Sequence, residues 1–138
     1  MKHVVRGFAL LMFGVLAAGQ QPSLPPGVPN NMTRYFVVFL VRGTEPADQA
    51  ARAQLTQQHI AYIRQLIEAR RYIFAGPFLD GGRVLGMAIA AARSEEEARE
   101  WASADPAVKS GEATVELHPA MFPSLEGVKV DYPPKPNP

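Results

Sequence analysis

The sequence predicts a single α+β domain: a four-stranded sheet with two helices packed on one of its faces. Three observations carry that expectation. Residues 35–41 and 84–92 are almost wholly apolar and rich in β-branched and aromatic side chains, as expected of strands buried on both faces. Residues 48–71 and 94–104 carry helical signals. The elements also follow one another in the order β-α-β-β-α-β, the split arrangement of a ferredoxin-like sandwich.

The elements can be justified in turn. The first strand, Tyr35 to Val41, is closed by Arg42-Gly43. In the first helix, Leu55, His59, Ile63, Leu66 and Ile67 fall on one stripe, with Arg52, Gln58, Arg64 and Glu68 largely elsewhere. Tyr72 to Phe78 returns to strand character. Gly76-Pro77 is expected to interrupt it with a bulge or bend, and Asp80-Gly81-Gly82 signals a tight turn. The strand from Val84 to Ala92 contains Gly86. Ser94 followed by Glu97 forms a capping box, and the helix it opens directs Ala98, Trp101 and Ala102 inward before stopping at Asp105-Pro106. After Gly111 a last strand sets Ala113, Val115 and Leu117 on one face, and Thr114, Glu116 and His118 on the other.

Two helices cover one face of such a sheet and leave the other open. Because two of its strands are apolar on both faces, a homodimer packed sheet to sheet is expected to cover the open face.

The chain ends lie outside this unit. Lys2 and Arg6 precede an apolar run from Gly7 to Ala18, and Ala17-Ala18-Gly19 offers a small-residue cleavage point. Residues 1–19 therefore read as a signal peptide, and the mature protein as periplasmic or secreted. The run is shorter than the roughly 20 residues that span a bilayer. All of the 13 prolines except Pro46, Pro77 and Pro106 lie in 20–33 or 119–138. Residues 20–33 are thus expected to be a Pro-rich linker, 34–122 the folded domain, and 123–138 a Pro-rich disordered tail.

Composition removes several classes of function. The net charge is +1 with no cluster of Lys and Arg, so the chain is not expected to bind nucleic acid electrostatically. The 138 residues include no cysteine. That excludes disulfides, thiolate metal sites and a cysteine nucleophile. The histidines and scattered carboxylates lack metal-ligand spacing. No phosphate-cradling loop, serine elbow, haem ligand or flavin motif is evident, so no cofactor is expected.

An ordered set of residues now carries a resemblance. His59-Ile60-Ala61-Tyr62-Ile63, Ala75-Gly76-Pro77-Phe78, Gly86, Ser94 with Glu97-Ala98, Asp105-Pro106 and Gly111 occur in the order and spacing of the YciI-like (YCII-related) family. The chain resembles that family over about 34–122. The resemblance implies a dimeric ferredoxin-like α/β-barrel fold and an active site built on a His–Asp pair, which falls here on His59 and Asp105. Some relatives are similar to enzymes of aromatic-ring breakdown, such as dehydrochlorinases of hydroxyhydroquinones. Muconolactone isomerases, which share the fold, move protons on lactone rings. Ala107 and Ser110 depart from the family's usual residues beside Asp105.

Each candidate residue also has a plain structural reading. His59, on the apolar stripe, is either a hydrogen-bonded core histidine or a general acid–base suited to neutral pH. Asp105, expected at the C-terminal end of its helix where the dipole disfavours a carboxylate, either orients His59 or ends the helix by bonding local amides. Gly76, Pro77 and Phe78 are candidate substrate-binding residues: backbone amides near Phe78 could hold an oxyanion, and the Phe78 ring could form a wall. Glu116 and His118 are a second acid–base candidate or an ordinary surface pair. The expected function is that of a cofactor-independent lyase or isomerase acting on a small cyclic or aromatic substrate. The alternative is a non-catalytic, small-molecule-binding or structural homodimeric domain.

Overall fold

The computed structural model of the chain describes residues 26–27, 31–44 and 48–125. The signal peptide expected at 1–19 lies outside the described residues, as do most of the linker and tail.

Strands β1 (Met32–Arg42), β2 (Tyr72–Pro77), β3 (Val84–Ala90) and β4 (Ala113–Pro123) form one sheet in the order β2-β3-β1-β4. Every neighbouring pair is antiparallel. Helices α1 (Gln49–Glu68) and α2 (Glu95–Ser103) are joined by a short third helix, α3 (Pro106–Lys109). The fold is the ferredoxin-like α+β sandwich.

Phe36 and Val38 of β1 and Ala88 and Ala90 of β3 pack with Leu66, Ala98, Trp101 and Ala102 in the main core. The alternate residues Val37, Phe39, Met87 and Ile89 stand opposite one another on the other face. The two helix starts follow their local chemistry. Asp48 caps α1 by accepting from the amides of Ala50 and Ala51. Ser94 accepts from the Glu97 amide at 3.2 Å. Glu97 reaches back one residue further than a capping box requires, to the Arg93 amide at 2.8 Å, and also pairs with the Arg93 guanidinium.

Three expectations are corrected. First, β1 begins at Met32 and β4 runs to Pro123, so Met32 and Thr33 lie in a strand paired with Pro123 and Phe122. Prolines are tolerated there because β4 is an edge strand. Second, Gly76-Pro77 does not interrupt β2. The strand continues through both residues, Gly76 facing Met87 and Pro77 facing Gly86, and the irregularity lies between Tyr72 and Phe74. Third, α2 does stop before Asp105-Pro106, but the chain then continues into a further helix, α3, which was not expected. Gly111, at φ +83°, then turns the chain toward β4. Gly86 has a different role: a Cβ there would stand 2.6 Å from the Gly76 carbonyl oxygen. The edge pair closes only around a glycine.

Candidate active site

A cavity of about 500 Å³ lies between the sheet and the helices α1 and α3. Its walls are mainly apolar: Val38 and Leu40 from β1, Ile60 and Ile63 from α1, Ala75 and Pro77 from β2, and Ala88 from β3. His59, Thr56, Arg64, Tyr72, Asp105 and Glu112 are its polar contributors.

His59 projects from α1, which packs against α3. Asp105 directly follows Ala104, the C-cap of α2, as expected from the sequence, and is at the same time the N-cap of α3. Its Oδ1 accepts from the Ala107 amide at 2.9 Å. Its Oδ2 lies 2.8 Å from His59 Nδ1. The two readings of Asp105 are therefore both realised, one on each oxygen.

Asp105 is 2% exposed and is the one charged residue buried among the described residues. Taking a carboxylate out of water is costly unless its oxygens find donors. The Ala107 amide and the His59 ring are those donors. An ionised carboxylate only accepts, so the proton of the neutral ring sits on Nδ1 and the lone pair on Nε2. The His59 side chain is 27% exposed and lines the cavity, and no other described residue bonds its ring. Nε2 can therefore take a proton, and the imidazolium so formed would stand beside a fixed negative charge.

The other expected site residues divide. Gly76 and Pro77 line the cavity. Phe78 does not: it stands on the opposite face of the sheet, its ring 6.5 Å from that of Phe39. Because β2 runs straight through Gly76-Pro77, alternation carries Phe78 away from Ala75 and Pro77. Its amide is also committed, donating to the Leu85 carbonyl at 2.9 Å. The oxyanion site expected there is thus not formed by that amide. Glu116 and His118 share the open face. Glu116 is bound to Arg83 at 2.8 Å, an interaction that holds its carboxyl below the usual range. His118 stands edge-on to Phe39. The two do not form an acid–base pair with each other.

Two tyrosines near the pair were not singled out by the sequence. Tyr62 donates its hydroxyl to the Trp101 carbonyl at 2.8 Å, tying α1 to α2. Burial and the charge of Asp105 raise its pKa. Tyr72 is 3% exposed and lines the cavity itself. Burial raises its pKa far above neutrality, with Tyr62 and Asp105 adding to the effect. The signal for Tyr72 was obscured by the irregularity between it and Phe74. Simple alternation puts both residues on one face, yet Tyr72 packs in the helix-covered core while Phe74 pairs with Ile89.

With this geometry in place, comparison with known proteins identifies the family. The model of the YCII-related domain matches residues 36–120. The chain belongs to the YCII-related domain family. The match runs from β1 to β4 and includes both His59 and Asp105. Among solved structures, this YCII-related chain is similar to 5-chloro-2-hydroxyhydroquinone dehydrochlorinase from Burkholderia phenoliruptrix AC1100, determined in complex with 2,5-dihydroxybenzoquinone. The identity is 22% and the TM-score 0.47, with 61% of this chain and 90% of that chain covered. No curated protein matches the chain.

Proposed function

We propose that this YCII-related protein is a proton-transfer enzyme, a lyase or isomerase that works without an organic cofactor on a small, largely apolar ring compound. His59 is the general base and then the general acid, through Nε2. Asp105 is a positioning residue that fixes the ring's tautomer and stabilises the imidazolium. The observation that carries this reading is the 2.8 Å contact between His59 Nδ1 and the buried Asp105 carboxylate at the wall of an apolar cavity. A purely structural pair would not need an open space beside it. The apolar walls favour a substrate with few charges, and enclosure strengthens each polar contact made inside.

The test is solvent deuterium incorporation into a panel of small ring ketones, lactones and quinones, followed by NMR. The reading expects at least one compound to exchange in a reaction that His59→Gln abolishes. If exchange stays at the background rate across the panel, the reading is wrong.

The proposal extends to the assembly and the compartment. Residues 1–19 direct export and are removed, leaving a periplasmic or secreted protein whose folded domain is flanked by Pro-rich segments. Two copies pack with their open sheet faces together. In support of that packing, Phe78 and Leu79 remain 42% and 93% exposed in the single chain. Light scattering on the mature chain should give twice the monomer mass, and a monomer would refute the packing.

A further inference from the structure

We propose that Tyr72 is a third catalytic residue, whose hydroxyl donates a hydrogen bond to the substrate oxygen that gains negative charge as His59 removes a proton. This deepens the proton-transfer reading, rests on it, and narrows the substrate class to ring compounds bearing a carbonyl.

The covered face of the sheet holds an unused donor. Tyr72 is the first residue of β2 and is 3% exposed. Buried hydroxyls are ordinarily bonded, as that of Tyr62 is to the Trp101 carbonyl. The Tyr72 hydroxyl has no hydrogen-bond partner among the described residues. It is also absent from the polar atoms sealed off without a partner. Tyr72 lines the cavity that it shares with His59 and Asp105, and its hydroxyl is not fully sealed from open space. Burial and the neighbouring Asp105 charge keep the phenol protonated. It can then offer a hydrogen to a ligand acceptor at neutral pH. A donor held in place before the reaction, in an apolar enclosure, suits an oxygen whose charge grows in the transition state.

The chemistry balances with the residues present. The C–H bond next to the ring carbonyl breaks, and its proton passes to Nε2 of His59. The C–H electron pair forms a carbon–carbon double bond, and the carbonyl π pair moves onto oxygen, where the Tyr72 hydroxyl meets it. The imidazolium then returns the proton to a conjugated carbon, giving an isomer. Alternatively, the enolate pair expels an anionic group from the adjacent carbon, and His59 passes its proton to water.

The enolate can be imitated by 4-nitrophenolate and its uncharged counterpart by nitrobenzene. In mildly alkaline buffer the full mature chain should bind 4-nitrophenolate more tightly than nitrobenzene. Tyr72→Phe should weaken phenolate binding by about ten-fold or more while leaving nitrobenzene binding unchanged. In the unsubstituted protein, 4-nitrophenolate should bring a downfield hydroxyl proton of Tyr72 into view by NMR, a readout that does not depend on the variant folding. Equal binding by wild type and Tyr72→Phe, no downfield proton, or no binding of the phenolate by the wild type would each overturn the assignment. His59→Gln separates the two ideas. A protein that keeps its Tyr72-dependent phenolate preference but shows no His59-dependent deuterium exchange retains the donor and loses the base.

Discussion

The two faces of the sheet each carry a histidine within reach of an acidic neighbourhood, and only one of them is built into a pair. On the covered face, His59 meets Asp105 at 2.8 Å, and the acid is 2% exposed. On the open face, the side chain of Glu116 is 43% exposed and is bound to Arg83, while His118 lies against the Phe39 ring. The residue types are nearly the same, so the difference comes from surroundings. Burial removes water as a competing partner, and the α3 amide fixes the carboxylate from its far side. Where water is present, an arginine on the neighbouring hairpin takes the acid instead. A His–carboxylate constellation becomes chemistry only when the fold leaves the acid no better partner.

The strongest way to break the comparison is to delete both acids. Asp105→Ala strands the His59 ring and the Ala107 amide and removes an N-cap. It should lower the free energy of unfolding by about 2 kcal/mol, read from urea denaturation. Glu116→Ala removes only an exposed ion pair and should leave the urea midpoint unmoved. Equal effects would mean that the two faces do not differ as described.

The floor of the cavity offers a second test. Gly86→Ala would press a Cβ against the Gly76 oxygen, at 2.6 Å, and against Pro77 Cα, at 3.1 Å. Both contacts are backbone and cannot swing away. Unfolding should become easier by about 1–3 kcal/mol, and ligand binding in the cavity should weaken with it. An unchanged midpoint would show that the β2–β3 pair is looser than its geometry indicates.

The smallest effect sharpens the electrostatic side. Glu97 is held below the usual carboxylate range by Arg93, through the guanidinium first and then the backbone amide. A carboxylate lowered in the folded state stabilises above its unfolded pKa, and that contribution disappears as pH falls through the folded value. The melting-temperature difference between wild type and Glu97→Gln should therefore be largest near neutrality and shrink in acid. A difference independent of pH would contradict the pairing.

Much of this architecture was legible in the sequence because strong local signals agreed. The apolar runs of β1 and β3, the stripe of α1 and the Ser94 cap all point to one topology. The His59–Asp105 pairing came from resemblance to a family, since spacing alone left both residues with plain structural readings. What escaped has physical reasons. Helix α3 spans four residues, too few to show a period, so Asp105-Pro106 read only as the stop of α2 and the second role of Asp105, as the cap of α3, was missed. The end of β4 lay hidden behind Pro119 and Pro123, which an edge strand accepts, and with it the start of β1 that pairs there. Phe78 was misplaced because Gly76-Pro77 looks like an interruption, and Tyr72 was overlooked because an irregular pairing turned it inward.

The central claim is that Asp105 fixes His59 with its proton on Nδ1 and its lone pair on Nε2. Imidazole ¹⁵N shifts of the mature protein, compared with those of Asp105→Asn, test it most directly, with His118 as an internal reference. The account predicts a neutral His59 ring almost wholly protonated at Nδ1, a preference that is lost in the variant while His118 stays unchanged. A His59 ring protonated at Nε2, or one indifferent to the substitution, would contradict it.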